Sequence, residues 1–386
     1  MKILVIPSWY PPNGGSFFKD QCEALTEAGV EVHVLVTQET SLKKITDSKS
    51  KPRFRVSYNK EGPLLVVRKK LWRIPKNEKQ NVRRWIRMTI RTFDDYFKKY
   101  GAPDLIHAHS VVWGGFAATL IKKKYNIPVV VTEHRGRFNA NSKTHQKEIK
   151  TWHKPLIKNA LENIDLVIPV SKLLIPTMSS FTDKEVKFRV IPNMANSIYF
   201  EGSAKKEQKE KTVLFTLTNF LEYKGIGIML KAFKKALDQS PDIILFIAGE
   251  GQDENKYKRM ADELGIEKHV SFLGYLSKEK VKDELLKADY MILSSLNEAQ
   301  PVSIIEAFAA GTPVIVTDVI SDDVVTPETG IIVQSDSIES FTEGILQGIK
   351  FKDRFKEPAL KEHARRFEDK QIISQITDCY HTIFAQ

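Results

Sequence analysis

Short apolar runs followed by helix-forming stretches recur from the first residues of the chain, stop near residue 200 and begin again. This doubled alternation limits the fold more than any other feature. Residues 2–6 read as a strand, 17–28 as a helix closed by Gly29, and 31–37 as a second strand. Further strands are expected at 105–108, at 129–132 and in LVIPVS near Asp165, which RVIPNMAN follows. The pattern restarts with a strand at 213–217, a helix at 227–240, and strands at 243–248, 270–272 and 290–294. This grammar predicts two doubly wound α/β halves, and 386 residues are too many for one ordinary core. The polar run GSAKKEQKEK at 202–211 marks their border, and 369–384 carries the apolar spacing of a terminal helix.

Composition excludes several classes. With 42% hydrophobic and 28% charged residues the chain reads as an ordinary soluble globular protein. Its apolar start at 3–6 is broken by Pro7, Pro11 and Pro12, far short of a membrane span or a secretory segment. Cys22 and Cys379 are far apart and give neither metal-ligand spacing nor a disulfide framework, so cytoplasmic residence is expected. Charge is uneven: residues 1–195 hold 35 Lys and Arg against 17 Asp and Glu, while 196–386 hold 24 against 31. Much of the excess lies at 65–100, where twelve basic residues meet three acidic ones.

That segment contains an amphipathic helix, with Val82, Trp85, Ile86, Thr89, Ile90, Phe93 and Phe97 on one stripe and Arg83, Arg84, Arg87 and Arg91 opposite. The stripe is core. The arginine face, with the preceding RKKLWR run around Trp72, is either a solvated surface or an attractor of anionic lipid headgroups at the inner face of the plasma membrane. Nucleic acid is not expected, because no recognition module or stacking platform is visible.

Residues 297–318 read NEAQPVSIIEAFAAGTPVIVTD. Pro301 opens a short helix, Gly311 and Pro313 stop it, and a β-branched strand follows at 314–317. The N-terminus of that helix offers unpaired N–H groups and a positive dipole end, so the backbone of Gln300, Pro301, Val302 and Ser303 suits phosphate oxygens. Glu298 and Glu306 would be repelled by phosphate and make better sense accepting hydrogen bonds from hydroxyls at its two ends. A sugar nucleotide has that shape: sugar, diphosphate, ribose.

The spacing E-x7-E, followed by small residues, Gly-Thr-Pro and a strand, resembles the retaining nucleotide-sugar glycosyltransferases of family 4. The resemblance spans nearly the whole chain. It implies the GT-B fold: two Rossmann-like domains facing across a cleft, here 1–195 with a returning helix at 370–386, and 196–369. It further implies transfer of a sugar from a nucleotide-diphosphate donor to a saccharide or lipid-linked acceptor, with retained anomeric configuration and with neither cofactor nor metal. Glu298 would position the sugar and Glu306 the ribose, with Ala299 standing where the family's usual glycine follows the first glutamate. Lys224 would neutralise the leaving β-phosphate. The family's usual arginine five residues earlier is Asn219, which can donate one hydrogen bond but carries no charge.

In PSWYPPNGGSFF, Gly14 and Gly15 lie between strand and helix, where backbone can approach donor phosphate or acceptor, although Asn-Gly-Gly is equally plain turn chemistry. The resemblance matches Gly15. His109 and His134 end strands at the edge where open α/β sheets hold ligands. The family position matching His134 lies close to the transferred sugar, and that matching His109 is less directly engaged, on the acceptor side; Arg135 and Arg137 beside His134 either meet a phosphate-bearing acceptor, the reading taken for Arg135, or are surface residues. FIAGEG and FLGYL correspond to segments that shape the nucleotide pocket. A sugar-nucleotide epimerase of the same fold and a non-catalytic binding member are the competing readings.

Overall fold

The computed structural model describes residues 1–12, 14–41, 55–144, 148–202 and 210–385. The chain divides into two compact units: 1–135 with 149–191 and 372–386, and 136–148 with 192–371. Residues 136–148 and 192–195, inside the stretch expected to form the first domain, thus fold with the second. Most of the polar run at 202–211 lies outside the described residues.

The first unit is built on seven strands: β1 (Lys2–Pro7), β2 (Glu31–Ser41), β3 (Ser57–Glu61), β4 (Leu64–Arg73), β5 (Leu105–His109), β6 (Val129–Glu133) and β7 (Leu166–Pro169). They lie in the order β3-β4-β2-β1-β5-β6-β7, all neighbours parallel except β3 with β4. Ile3, Leu4, Val5 and Ile6 are all fully buried. A parallel strand covered on both faces shows an unbroken apolar run of this kind. Its helices are α1 (Ser16–Glu27), α2 (Glu78–Tyr100), α3 (Phe116–Tyr125), α4 (Lys154–Leu161) and α5 (Ile175–Ser179).

Two details correct the sequence reading of the basic segment. The RKKLWR run is the second half of β4, where Lys69 and Leu71 are buried and Gln38, Glu39 and Thr40 of β2 pair with Lys70, Leu71 and Trp72. On α2 the buried face includes Thr92 and Tyr96, whereas Ile90 and Phe97 are only half-buried. Arg84 donates to the Trp72 carbonyl at 3.0 Å and leaves the solvated face to Arg83, Arg87 and Arg91.

The second unit holds six parallel strands in the order β10-β9-β8-β11-β12-β13. They are β8 (Thr212–Leu217), β9 (Ile243–Ala248), β10 (Val270–Gly274), β11 (Tyr290–Leu293), β12 (Val314–Thr317) and β13 (Gly330–Val333). Helices α6 (Ile226–Leu237), α7 (Glu254–Glu263), α8 (Lys278–Lys287), α9 (Val302–Ala309), α10 (Ile338–Lys350) and α11 (Glu357–Ala364) complete it. The last helix, α12 (Asp369–Phe384), enters the first unit from Ile372 onward. There it buries Ile372, Ile373, Ile376, Cys379 and Tyr380, and the Tyr380 hydroxyl bonds His107 Nδ1 at 2.6 Å.

Candidate active site

In the second unit, the loop after β8 and the loop after β11 are tied together before any ligand is considered. Leu296 N–H donates to the Tyr223 carbonyl at 2.8 Å, and Ser294 Oγ donates to the Lys224 carbonyl at 3.0 Å. Gly225 makes this approach feasible: its φ is +66°, and a Cβ there would lie 2.0 Å from the Ser294 carbonyl oxygen. The chain turns at Gly225 straight into α6, and Lys224 is left pointing at the β11 loop.

Lys224 Nζ lies 2.5 Å from Glu298 Oε1, and the same oxygen accepts from Ser295 Oγ at 3.0 Å. Ser295 is itself fixed, since Thr317 Oγ1 donates to its carbonyl at 2.6 Å. Burial opposes the lysine's charge, but the Glu298 carboxylate and then Tyr223 outweigh it, and the Lys224 pKa is raised. The ammonium therefore stays charged through the neutral range.

Glu298 is also held by its main chain. Asn139 Nδ2 donates to the carbonyls of Glu298 at 2.6 Å and Val319 at 2.7 Å. Gly136 lies so close that a Cβ there would stand 2.2 Å from Asn297 Oδ1. Nothing in RGRFNA pointed to this, because the partners lie some 160 to 180 residues away. Arg137, expected on the acceptor side, belongs to this same excursion into the second unit.

Pro301 caps α9, whose first turn, Val302 and Ser303, carries N–H groups with no acceptor inside the helix. Gln300 is clamped by Asn193, whose N–H donates to its Oε1 at 2.6 Å and whose Nδ2 donates to its carbonyl at 2.9 Å. Asn193 lies in RVIPNMAN, to which no role had been attached. Gln300 Nε2 is buried and has no hydrogen-bond partner among the described residues. Ala299 is buried, and Glu306 is half-buried one turn along α9.

Asn219 behaves differently from its neighbours: its side chain is exposed and makes no hydrogen bond to Lys224 or Glu298. Around it the turns of FIAGEG and FLGYL converge. Gly249, at φ +130°, would place a Cβ 1.8 Å from the Thr218 carbonyl oxygen, and its N–H donates to the Gly274 carbonyl at 2.8 Å.

In the first unit, His109 Nδ1 and His134 Nε2 are 3.0 Å apart and their rings stack at 5.2 Å. Phe18 packs on both rings at 4.6 and 5.0 Å. The fully buried Glu133 carboxylate accepts from the N–H groups of Val111 and Arg135, each at 2.7 Å, and so fixes the chain on both sides of the pair. Ser110 follows His109 with φ of 68°, a region sparsely occupied by non-glycine residues. Burial, with His107 and His134 adding to it, holds His109 well below its ordinary pKa, and burial pushes His107 down to about 3. Both are neutral at pH 7, so His109 meets His134 as a neutral imidazole.

Gly15, at φ +79°, caps α1, and a Cβ there would come within 2.9 Å of Trp9 and Phe18 side-chain atoms. Its bareness is required by packing whatever it binds. Asn13, the first residue of the Asn-Gly-Gly turn, lies outside the described residues. The Arg135 guanidinium stacks 4.1 Å over Trp9.

Among the described residues no group of His, Cys, Asp and Glu could hold a metal ion, and no helix is long and apolar enough to cross a membrane. Residues 14–197 match the profile of Glycosyltransferase Family 4, and 200–367 match that of Glycosyl transferases group 1. The chain belongs to family 4 of the glycosyltransferases. It is a retaining enzyme that uses a nucleotide-diphosphate sugar. The D-inositol 3-phosphate glycosyltransferase of Corynebacterium glutamicum is 24% identical over 310 residues, 73% of each chain. Among solved structures, sucrose-phosphate synthase from Thermosynechococcus elongatus superposes with a TM-score of 0.83 at 21% identity, covering 100% of both chains. The Anabaena protein HepE, solved in complex with UDP, gives 0.74 at 16% identity, covering 99% of this glycosyltransferase and 100% of HepE. Both structures have the GT-B fold of this enzyme.

Proposed function

We propose that the glycosyltransferase transfers a sugar to a saccharide or lipid-linked acceptor in the synthesis of a bacterial surface polysaccharide or glycolipid, with the donor held in the second unit. The observation that carries this reading is the Lys224–Glu298 contact at 2.5 Å, on loops locked to each other beside the N-terminus of α9. On this reading the donor's diphosphate takes Lys224 from Glu298 and rests on the first turn of α9, at Gln300 to Ser303. Lys224 then stabilises the charge that grows on the leaving phosphate. Glu298 turns to the sugar hydroxyls and Glu306 to the ribose. The Anabaena relative solved with UDP supports a nucleoside diphosphate as part of the ligand. His134 is assigned to the side of the transferred sugar, with His109 and Arg135 on the acceptor side and Gly15 among the donor-binding residues. Asn219 adds at most one hydrogen bond.

The test is a thermal-shift screen with UDP, GDP and ADP, followed by transfer assays on Glu298→Gln and His134→Ala. A diphosphate at about 100 times its Kd should stabilise the folded state by about 2.7 kcal/mol. Absence of a shift with all three nucleotides, or undiminished transfer by both variants, would sink the reading.

A peripheral contact with anionic lipid accompanies this proposal. Arg83, Arg87 and Lys79 edge a groove of about 560 Å³ whose floor includes Ile86, Phe116 and Trp152, a combination suited to a lipid headgroup above acyl chain. Co-sedimentation with phosphatidylglycerol liposomes at low salt should disappear on charge reversal of Arg83 and Arg87. Sedimentation that survives the reversal would refute it.

A further inference from the structure

The first unit contains a cavity of about 530 Å³, and of the residues given a role so far only Arg135 lines it. It opens where β1, β2 and β4 end, and its lining includes Trp9, Trp85, Trp113, Lys70, Arg73 and Arg135. Its size is that of a ligand pocket. It adjoins the histidine pair: Arg135 follows His134 in sequence, and Trp9 packs on Phe18, which packs on His134.

The aromatic walls are held by their neighbours. Trp85 is buried, spends its indole N–H on the Thr37 carbonyl at 2.6 Å, and meets Trp113 edge-on at 5.6 Å. Trp9 and Trp113 are half-buried and present ring surface to the cavity. Flat, fixed indoles of this kind suit the C–H faces of a sugar ring, while hydroxyls reach polar groups such as Gln38 and Thr40 on the β2 rim.

A neutral sugar would leave the cations unexplained. Three basic residues line the cavity against one carboxylate, Glu39, whose Oε2 lies 3.9 Å from Arg73 Nε. For Lys70, no carboxylate lies within 4.0 Å among the described residues. The lining thus carries net positive charge in a partly enclosed space, where it acts more strongly than on an open surface.

We propose that this cavity is the acceptor subsite and that it takes an anionic saccharide, a sugar bearing a carboxylate or a phosphate, stacked on Trp9 and Trp113 with its charge toward Lys70 and Arg73. This deepens the transferase reading and rests on it for the word acceptor, but binding to the cavity can be measured without transfer.

The experiment is a tryptophan-fluorescence titration of the full chain, since three of its five tryptophans line the cavity. The probes are trigalacturonate, its carboxyl-reduced neutral counterpart, and galactose 6-phosphate. A charged probe should change the emission saturably, and the neutral trisaccharide should bind at least tenfold more weakly. Lys70→Gln with Arg73→Gln should weaken the charged probe at least tenfold and leave the neutral one unchanged, while Trp113→Phe should remove much of the signal. Whichever of uronate and phosphosugar binds more tightly names the source of the charge. Equal binding of charged and neutral trisaccharides, no binding of either charged probe, or unchanged affinity in the Lys70/Arg73 variant would overturn the proposal. UDP-induced thermal shift is measured on the same samples. Its retention in the variant shows that the protein is folded, and its absence in the wild type refutes the donor reading, whereas the cavity is judged on the fluorescence alone.

Discussion

Replacing Lys224 by Met removes an ammonium whose partner, Glu298 Oε1, is 2.5 Å away, in side chains only 16% and 12% exposed. At an effective dielectric of about 20, charges at that distance attract by about 6–7 kcal/mol, most of it offset by the desolvation of both groups. Removing one partner of a fully buried pair costs about 3–5 kcal/mol, because the other is left as an unpaired charge. Ser295 Oγ remains on the same carboxylate oxygen and some water reaches the site, so the expected loss is about 2–3 kcal/mol. For a unit of this size that is a fall of roughly 6–9 °C in Tm. Glu298→Gln should cost about 2 kcal/mol for the same reason, and the double variant, which orphans neither charge, no more than the larger single loss. The tryptophans, at positions 9, 72, 85, 113 and 152, all lie in the first unit, so fluorescence follows that unit while far-UV circular dichroism follows both. The circular dichroism transition should therefore carry the change. Because the folded pKa of Lys224 is raised, the contribution is complete below about pH 10 and fades only as pH climbs through the folded value. If the double variant loses the sum of the two single losses, the groups are not coupled and the reasoning fails.

Three further outcomes are expected. Gly225→Ala should lower the stability of the second unit by more than 2 kcal/mol, because its Cβ would meet the Ser294 carbonyl oxygen at 2.0 Å. Gly265→Ala, at φ +64° with nothing within 4 Å, should cost only about 1 kcal/mol; equal losses in urea melts would show that the close approach does not matter. Asn139→Ala leaves the Glu298 and Val319 carbonyls without their shared donor and should cost about 1–3 kcal/mol while reducing transfer through a loosened Glu298. Unchanged melting and activity would remove Asn139 from the site. His107 and His109 have folded pKa values far below the unfolded 6.5, so below that pH the unfolded chain binds protons that the folded chain refuses. Stability is full above pH 6.5 and falls by about 1.4 kcal/mol per unit per histidine, until for His107 it levels near pH 3. Urea titrations followed by tryptophan emission at pH 7.5 and 5.0 should differ accordingly, and identical midpoints would contradict it.

Strands such as β1, β6 and β12 were legible because a strand buried on both faces has little choice but an unbroken apolar run. β4 was not, because its second half is written in arginine and lysine. Only its pairing with β2, through nine registered positions, makes a strand of a run that reads as surface charge. Arg84 likewise shares a helical face with Arg83 and Arg87, and the Trp72 carbonyl withdraws it from the solvated group. Helix α9 and its flanking glutamates were readable from Pro301, Gly311 and their spacing, since helix termini are local events.

By itself the sequence determined the two α/β halves, the place of α9 and the family, because each follows from residues close together along the chain. It could not join Lys224 to Glu298, 74 residues apart, or bring Asn139 to the Glu298 carbonyl from 159 residues away. Nor could it gather Trp9, Lys70 and Trp113 around one cavity. Those contacts depend on which strand lies beside which. A parallel sheet makes that choice only when its crossovers close and the loops at one edge meet.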